Sequence, residues 1–577
     1  MDPGPLDELE EQFRRAVGNN ELPGLAYAIL RDGKVVRASA FGVKDLDSRE
    51  PWRFDTLCRL YSMTKSVAVV GLMALVEDGL LALNDPVSKY LPAFRQERLQ
   101  IAHNEEVVKS DEQNATPTRE MKIIHLLTHS SGLSYGPAMG DESSCASEES
   151  YRQLMQRVDT GEVSALGSYC DELAKLPLRY QPGERWEYSY SIDVVGRIME
   201  VVSGKRLDEY LRERVIEPLK LNDTTFSLPE GQCGRLATFY RRRPDTNSND
   251  SLDLVDAAAS SRWSEERCSG RVLSAGGTVG TVAGGLVSTL NDFSRLCLML
   301  QNEGELDGVR VLRSDTVRMM CTNLLPEVTG KEDSWCLETA GLGFGILGSV
   351  AVRHPDANWY DPPGEVGWGG LAGTAWAIDR RERLIVVTFC QVMYELWIDE
   401  EARKAARLAL GYVPPPTEAS DSDASPATIT ASDSDASPAK STASEEVPHA
   451  PLAADAGLVA PEAVSVFEAA PPAEEAESSD KENVQPASPD GANMVRAPEM
   501  STPPTSSERA AAAKRAAPEV APSTEVARET PSGKKTRLSH DSISAGRARA
   551  ALDCGAPSPL GEKTNCRGIP LLQVQAC

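Results

Sequence analysis

The sequence lacks any long uninterrupted run of apolar residues, and its first 17 residues are acidic and amphipathic. A membrane-spanning helix needs about 18 consecutive apolar residues, and a secretory signal needs an apolar segment near the start. Neither is predicted, so we expect a cytoplasmic protein with no membrane partner. Two sparse basic pairs, Lys514-Arg515 and Lys534-Lys535, leave nuclear import open.

Positive charge is also in short supply, since 60 Lys and Arg residues stand against 86 Asp and Glu, for a formal net charge of −26. Such a chain repels phosphate backbones, so we expect no nucleic-acid partner. The 12 cysteines include nine before residue 414, which have no regular spacing and no Cys-x-x-Cys pair. We interpret these nine as reduced core residues and predict no metal site.

Aromatic residues almost disappear after residue 413, where the chain consists mainly of Ala, Ser, Pro, Glu and Asp. A segment of this kind cannot bury enough apolar surface to offset the entropy of ordering. We therefore predict a folded domain over 1–413 and a disordered acidic tail over 414–577. The Ser-Pro and Thr-Pro pairs of this tail could serve kinases or protein partners, or they could simply reflect its composition.

Strand-like patterns lie at both ends of the predicted domain, with helical patterns between and around them. The predicted strands are two runs that flank the Asp32-Gly33 turn, then Gly345–Val352, Thr374–Ile378 and Leu384–Cys390. The predicted helices are Leu6–Val17, Ser62–Gly79 and Glu400–Leu410, and the region from about Leu81 to Arg271 is mostly helical with long polar loops. This order predicts an α/β fold of the α+β type, with one antiparallel sheet built from both ends, flanking helices and an inserted helical region.

Ser62-Met63-Thr64-Lys65 is a Ser-x-x-Lys sequence at the start of a predicted helix. Three residues is close to one helical turn, so the lysine amine is expected beside the serine hydroxyl. A serine attacks only when a neighbour takes its proton, and a helix N-terminus favours the developing anion. The alternative for the tetrapeptide alone is an N-cap serine followed by an exposed lysine.

Three longer blocks surround or follow this tetrapeptide: DTLCRLYSMTKSVAVVGLMALVEDGLLALNDPVSKYLPAF at 55–94, MKIIHLLTHSSGLSY at 121–135, and GGLVSTLNDFSRLCLMLQNEGELDGVRVL at 284–312. They resemble, in the same order, segments of class C β-lactamases, family VIII carboxylesterases and related acyltransferases, and the resemblance covers about 6–412. It implies a β-lactamase/transpeptidase-like fold with Ser62 as the nucleophile and Lys65 beside it. It implies no cofactor and no metal.

The second motif of these families is Tyr-x-Asn, and the matching segment here is Tyr188-Ser189-Tyr190. By resemblance Tyr188 is the catalytic phenol, and the charge of Lys65 would help it ionise. Whether Lys65 or Tyr188 takes the serine proton stays open, because the two should titrate as a coupled pair. Tyr190 replaces an Asn that contacts β-lactam amides, which weakens a lactamase interpretation. The Tyr-Ser-x-x-x-Asp pattern that ends at Asp193 is more similar to the esterase and acyltransferase branches.

The third motif, Lys-Thr-Gly in β-lactamases, is matched here by Trp368-Gly369-Gly370 directly before a predicted strand. The resemblance implies that these three residues and Tyr190 line the substrate site. It also implies an oxyanion hole formed by the backbone N–H groups of Ser62 and Leu371. The alternative is that the glycines only form a tight turn.

The replacement of Lys by Trp at position 368 removes a cation that would hold a substrate carboxylate. It should also make Tyr188 harder to ionise. We therefore expect a site suited to neutral esters rather than to penicillins or peptide C-termini.

Two further patterns compete with this site. Gly132-Leu133-Ser134-Tyr135-Gly136 matches Gly-x-Ser-x-Gly, but it follows a helical run rather than a strand, so we do not expect Ser134 to be the nucleophile. His125 and His129 lack the intervening Glu of a zinc protease and are interpreted as structural.

Together these patterns predict an acyl-enzyme serine hydrolase, most favourably a carboxylesterase acting on a small-molecule ester or amide. An acyltransferase and a weak β-lactamase or D-peptidase share the same nucleophile and remain alternatives. A non-catalytic scaffold with a partner-binding tail is the alternative from another class. It does not explain why Ser62, Lys65 and Tyr188 occur together.

Overall fold

The computed structural model of this 577-residue chain describes 1–102, 115–136, 146–229, 231–242, 252–254, 272–277, 285–332, 334–336, 341–355 and 357–414. The predicted tail, with its Ser-Pro and Thr-Pro pairs, lies outside the described residues apart from Pro414. Its disorder and the domain boundary at residue 413 therefore stay predictions. No helix among the described residues is long and apolar enough to span a membrane.

The strands of the described chain are numbered in chain order. They are β1 (Gly24–Arg31), β2 (Lys34–Gly42), β3 (Cys58–Arg59), β4 (Tyr240–Arg242), β5 (Leu252–Leu254), β6 (Val287–Ser288), β7 (Glu305–Leu306), β8 (Val309–Arg310), β9 (Leu342–Phe344), β10 (Ser349–Ala351), β11 (Val366–Gly370), β12 (Thr374–Asp379) and β13 (Leu384–Phe389). Seven of them form one antiparallel sheet in the order β2-β1-β13-β12-β11-β10-β9. The other six form three short two-stranded pairs, β3 with β6, β4 with β5 and β7 with β8.

The helices surround this sheet or form the inserted region. They are α1 (Gly4–Gly18), α2 (Thr64–Glu77), α3 (Ile123–Leu127), α4 (Ala146–Asp159), α5 (Leu166–Leu173), α6 (Ser191–Ser203), α7 (Leu207–Leu211), α8 (Leu290–Gln301), α9 (Ser314–Met320), α10 (Leu325–Thr329) and α11 (Trp397–Ala409). The predicted α+β architecture, with helices inserted between the two parts of an antiparallel sheet, is confirmed.

Both ends of the predicted domain meet within the sheet, where β1 pairs with β13 and Ala26 lies opposite Phe389. The β1–β2 hairpin turns at Asp32 and Gly33, whose φ angles of 51° and 75° are the positive values that a two-residue hairpin loop requires. The sequence patterns located this hairpin and the β12–β13 pair correctly.

The predicted single strand Gly345–Val352 is wrong. The structure instead has the hairpin β9–β10, which turns between Gly345 and Gly348, where the Gly345 N–H donates to the Gly348 carbonyl at 2.8 Å. Two glycines three residues apart favour a turn over a continuous strand. That glycine spacing was the signal that the apolar character of the segment concealed.

The two faces of the sheet pack against different helices. Along β1, Leu25, Tyr27 and Ile29 join a core cluster with α1 and α11. Ala26 and Ala28 point the other way, into a larger cluster that contains α2, α6 and α8. This alternation follows from the two-residue period of a strand. It separates a face covered by the terminal helices from a face that carries the inserted region.

Helix α2 is buried along most of its length, from Thr64 to Leu75. It packs closely against α7, and a Cβ at Gly71 would lie 2.4 Å from a methyl carbon of Leu211.

Seven cysteines fall within the described ranges. All are free thiols and all except Cys233 are buried, as expected for core residues. The start of α2, the segment before α6 and the end of β11 converge where the predicted site residues lie.

Candidate active site

Ser62 lies in a one-turn 3-10 helix, Tyr61–Met63, that leads directly into α2. The residue is only 5% exposed. Tyr61 has a φ of 45°, which is uncommon for a residue other than glycine. Gly277 packs so tightly on this turn that a Cβ there would lie 1.9 Å from the Tyr61 carbonyl oxygen. Close packing therefore holds the Ser62 hydroxyl in a constrained backbone turn.

Lys65 lies in the first turn of α2 with its side chain buried beside Ser62. Its Nζ donates to Ser62 Oγ at 3.2 Å and to the Gly276 carbonyl oxygen at 2.6 Å. The Ser-x-x-Lys spacing thus places the Lys65 amine within hydrogen-bonding distance of the Ser62 hydroxyl. The lysine is buried, which excludes the alternative of an exposed lysine behind an N-cap serine.

Tyr188 lies on the segment before α6 and is 7% exposed. The Nζ of Lys65 lies 4.5 Å from the centroid of its ring, within the range of a cation–π contact. The Tyr188 hydroxyl accepts a hydrogen bond from the Trp368 indole N–H at 2.9 Å. Lys65 therefore contacts both Ser62 and Tyr188. The phenol oxygen has a neutral donor from β11, in place of the cation that the Lys-Thr-Gly motif would supply.

Aromatic side chains enclose Tyr188. Trp186 stacks on it with a centroid distance of 6.0 Å and an interplanar angle of 14°, and the His129 ring lies at 4.6 Å. Phe344 on β9 meets Trp368 edge-on at 5.2 Å. These contacts give the wall around the phenol a largely apolar character.

Strand β11 forms the wall that faces the start of α2. A Cβ at Gly370 would lie 2.3 Å from the Leu60 carbonyl oxygen, so only a glycine allows this approach. Gly369 and Gly370 are strand residues, paired with Ala375 and Thr374 of β12, which excludes the tight-turn alternative. Leu371 follows directly and packs in a small cluster with Tyr61.

Tyr190, which was expected to contact substrate, is 4% exposed. Its ring lies 4.3 Å from Tyr135 and 6.0 Å from Tyr169, in the core beside the site. Its role in substrate binding stays a prediction, whereas its packing contacts are direct observations.

Ser134 and the two histidines have other partners. Ser134 follows α3 rather than a strand, and its Oγ accepts from the Gly136 N–H at 3.0 Å. His125 Nδ1 accepts from the Lys122 N–H at 3.2 Å, and His129 Nδ1 lies 3.3 Å from Ser189 Oγ. Burial, and then the charge of Lys65, hold the pKa of His129 well below its usual range. Within the described ranges, no cluster of three or more His, Cys, Asp or Glu residues could hold a metal ion.

A sequence profile of the beta-lactamase family matches residues 6–411. The chain belongs to the beta-lactamase family. Protein Rv1367c of Mycobacterium tuberculosis (strain ATCC 25618 / H37Rv) is 30% identical over 413 residues, which cover 70% of this chain and 94% of that relative. Esterase EstB of Burkholderia gladioli is 27% identical over 393 residues, covering 67% and 90%. Monacolin J acid methylbutanoyltransferase of Aspergillus terreus (strain NIH 2624 / FGSC A1156) is 26% identical over 432 residues, covering 70% and 94%.

Solved structures confirm the predicted β-lactamase/transpeptidase-like fold of this family member. EstCE1, described as a hydrolase with promiscuous acyltransferase activity, superposes with a TM-score of 0.54 at 23% identity, covering 70% of this chain and 98% of that one. The simvastatin synthase LovD of Aspergillus terreus gives the same TM-score and identity, covering 70% and 96%.

Sequence reasoning missed two groups of this beta-lactamase family site. The first is the Gly276 carbonyl, which accepts from Lys65 and was not among the predicted site residues. Trp186 precedes Tyr188 by two residues, so its stacking could have been suspected from their spacing in an extended segment. A backbone carbonyl leaves no comparable signal.

Proposed function

We propose that this beta-lactamase family member is a serine hydrolase that forms an acyl-enzyme on Ser62 and acts on small neutral esters. The observation that carries the proposal is the position of the Lys65 amine, 3.2 Å from Ser62 Oγ and 4.5 Å from the centre of the Tyr188 ring. A buried amine that is hydrogen-bonded to a serine hydroxyl and lies over the ring of a tyrosine can form with that tyrosine a pair that accepts and returns a proton.

In the proposed reaction, Ser62 Oγ bonds to the ester carbonyl carbon while its proton passes to the Lys65–Tyr188 pair. The backbone N–H groups of Ser62 and Leu371 donate to the tetrahedral oxyanion, and one such donor is typically worth about 3–4 kcal/mol. The tetrahedral intermediate then collapses, and the bond between the carbonyl carbon and the alcohol oxygen breaks. The alcohol leaves with the proton from the Lys65–Tyr188 pair, and the acyl group stays on Ser62. Water then attacks the acyl-enzyme in the same way, and collapse of the second intermediate releases the acid and free Ser62.

The preference for neutral esters follows from the wall around Tyr188. Trp368 stands where a lysine would hold a substrate carboxylate, and it donates an indole N–H to the phenol oxygen at 2.9 Å. A donor to that oxygen favours its anionic form without adding a positive charge for a substrate to contact. Esterase EstB, whose 27% identity extends over 393 residues, is a relative with a matching activity name.

Acyl transfer to an alcohol is the second candidate, because it differs from hydrolysis only in the acceptor that attacks the acyl-enzyme. The relatives named as methylbutanoyltransferases, 26% identical over 432 residues, favour this candidate. A β-lactamase or D-peptidase activity is disfavoured, because both substrates carry a carboxylate that Trp368 cannot pair with. A non-catalytic scaffold would have no use for a buried amine held on a buried serine hydroxyl.

The test compares hydrolysis of p-nitrophenyl butyrate by the full-length wild type, Ser62→Ala and Ser134→Ala. Both serines are buried, at 5% and 4% exposure, so the two variants are matched in the size and burial of the change. We expect Ser62→Ala to lose at least about 10³-fold in kcat and Ser134→Ala to remain near wild type. Activity abolished by Ser134→Ala but retained by Ser62→Ala would refute the proposal.

The same three proteins distinguish the candidate substrates. We expect nitrocefin, a β-lactam with a free carboxylate, to be turned over far more slowly than the butyrate ester. Comparable turnover of the two would favour the β-lactamase alternative. An alcohol can also be added to the butyrate assay. Faster release of p-nitrophenol, together with formation of the butyrate ester of that alcohol, would favour acyl transfer.

A further inference from the structure

Gly276 links Lys65 to a buried carboxylate. Its carbonyl oxygen accepts from Lys65 Nζ at 2.6 Å, and its N–H donates to Asp193 Oδ1 at 3.1 Å. The same carboxylate oxygen also accepts from Ser274 Oγ at 2.7 Å. Asp193 is fully buried in the first turn of α6, five residues after Tyr188. One backbone segment, 274–277, thus connects the helix that follows the phenol with the amine beside the nucleophile.

The packing around this segment leaves it little freedom. A Cβ at Gly276 would lie 2.5 Å from Asp193 Oδ2, and a Cβ at Gly277 would lie 1.9 Å from the Tyr61 carbonyl oxygen. Ser274 and Ala275 have no exposed surface. The segment is therefore held between Asp193 on one side and the turn that carries Ser62 on the other.

The charge of Asp193 is compatible with this arrangement at neutral pH. Burial raises the pKa of Asp193 to about 6, opposed by its hydrogen bonds from Ser274 and Gly276 and by the charge of Lys65. Among the described residues, the other titratable groups that face it are Tyr169 and Cys170 on α5, and burial raises the pKa of each. Asp193 is therefore the one among these acidic groups that changes charge between pH 5 and pH 8.

We propose that Asp193 is a positioning residue, whose carboxylate fixes the Gly276 carbonyl and thereby holds the Lys65 amine against Ser62. This proposal rests on the proposed function, since it assigns a task to Lys65. An ionised carboxylate binds the Ser274 hydroxyl and the Gly276 N–H more strongly than a neutral acid would. Protonation of Asp193 loosens the segment and leaves Lys65 less well placed.

The kinetic test uses Asp193→Asn in the full-length chain, with Asp292→Asn as the matched control. Asp292 is also a buried carboxylate in the first turn of a helix, α8, and accepts from the Asp223 N–H at 2.7 Å and Thr224 Oγ1 at 2.9 Å. Burial raises its pKa to about 6 as well. Neither of these two hydrogen bonds involves the 274–277 segment. The Asp292→Asn variant therefore measures the cost of neutralising a buried carboxylate elsewhere in the protein.

At pH 8 we expect Asp193→Asn to lower kcat for p-nitrophenyl butyrate by about 10- to 100-fold, the range for hydrogen bonds to a charged group, with KM little changed. The wild-type and Asp292→Asn proteins should gain activity as pH rises through about 6. Asp193→Asn should lack that rise, because the group that titrates is gone. Equal losses in the two variants, or an unchanged pH profile in Asp193→Asn, would overturn the proposal.

A structural measurement keeps this proposal separate from the proposed function. In a crystal structure of Asp193→Ala we expect the distance from Lys65 Nζ to the Gly276 oxygen, 2.6 Å here, to exceed hydrogen-bonding range. An unchanged distance would overturn the positioning role even if the wild type hydrolyses esters. Conversely, an altered distance in a protein without esterase activity would support the positioning and refute only the proposed function. If Asp193→Ala does not fold, the same measurement applies to Asp193→Asn.

Discussion

Two groups of buried charge lie on opposite faces of the central sheet, and they differ in how their cations are held. On the face covered by α11, Arg407 is fully buried and bonds directly to Asp379 at 2.8 Å and to Glu365. Arg403 meets the same Glu365 at 3.1 Å. On the other face, Lys65 contacts a hydroxyl, a backbone carbonyl and aromatic rings, and it reaches Asp193 through Gly276.

The difference between the partners of these cations indicates a different role for each. The first group, called the ion-pair cluster here (Glu365, Asp379, Arg403 and Arg407), joins α11 to β12 and to the residue before β11. Its charges are directly opposed, so removal of one partner should destabilise the fold. The second, the Lys65 cluster (Ser62, Lys65, Asp193 and Gly276), leaves the amine in hydrogen-bond contact with a hydroxyl that loses its proton in the proposed reaction. We therefore predict that activity and stability depend on different buried cations.

The largest expected effect is on activity, from Lys65→Met. This substitution keeps an unbranched side chain, one atom shorter, and removes the amine, so we expect kcat/KM for p-nitrophenyl butyrate to fall by about 10³-fold or more. The free energy of unfolding should change by less than about 2 kcal/mol, because the lost hydrogen bonds are offset by relief of a buried charge. Urea unfolding and kinetics on the same preparation check both values. Full activity in this variant would contradict the assignment of Lys65.

The matching substitution in the ion-pair cluster, Arg407→Met, should have the opposite profile. It leaves Glu365 and Asp379 buried with one cation fewer, which typically costs about 3–5 kcal/mol of stability. The kcat per folded molecule, measured below the unfolding transition, should stay near wild type. A loss of kcat with unchanged stability would remove the distinction between the two clusters.

A smaller effect should appear in the pH dependence of stability. Burial raises the pKa of Glu365 to about 7, against the opposing charges of Arg403 and Arg407. The folded protein therefore holds this proton more tightly than the unfolded chain, and the corresponding stability is present at pH 4 and lost by pH 8. Glu365→Gln has no such group, so the wild-type free energy of unfolding minus that of the variant should fall by about 3 kcal/mol over this range.

Urea unfolding of wild type and Glu365→Gln at several pH values measures this difference. If the free energies of unfolding of the two proteins change in parallel with pH, the pKa of Glu365 is the same in the folded and unfolded states. A difference that rises with pH would mean that the arginines outweigh burial, and that the ion-pair cluster is held more strongly than the account states.

Local sequence patterns were enough to predict much of the fold and part of the candidate site. The two strand-like runs of the first hairpin, the Asp32-Gly33 turn and the three-residue spacing of Ser62 and Lys65 all act over short stretches of chain, where backbone geometry alone relates the residues. The resemblance to known families supplied Tyr188 and Trp368, which no local pattern relates to Ser62.

The contacts that organise the site could not be predicted in this way. Lys65 and Gly276 are 211 residues apart in sequence, and the acceptor is a backbone carbonyl, which every residue possesses. The bond from Trp368 to Tyr188 spans 180 residues and depends on how β11 approaches the segment before α6. Such contacts follow from tertiary packing, so the sequence marks the residues without specifying their partners.

The central claim is that Ser62 is the residue acylated in this fold. The most direct measurement is to label the full-length protein with a fluorophosphonate, digest it and locate the modified residue by mass spectrometry. The account predicts modification of Ser62, with labelling lost in Ser62→Ala and slowed in Lys65→Met. Modification at Ser134 or at another residue, with Ser62 unmodified, would contradict it.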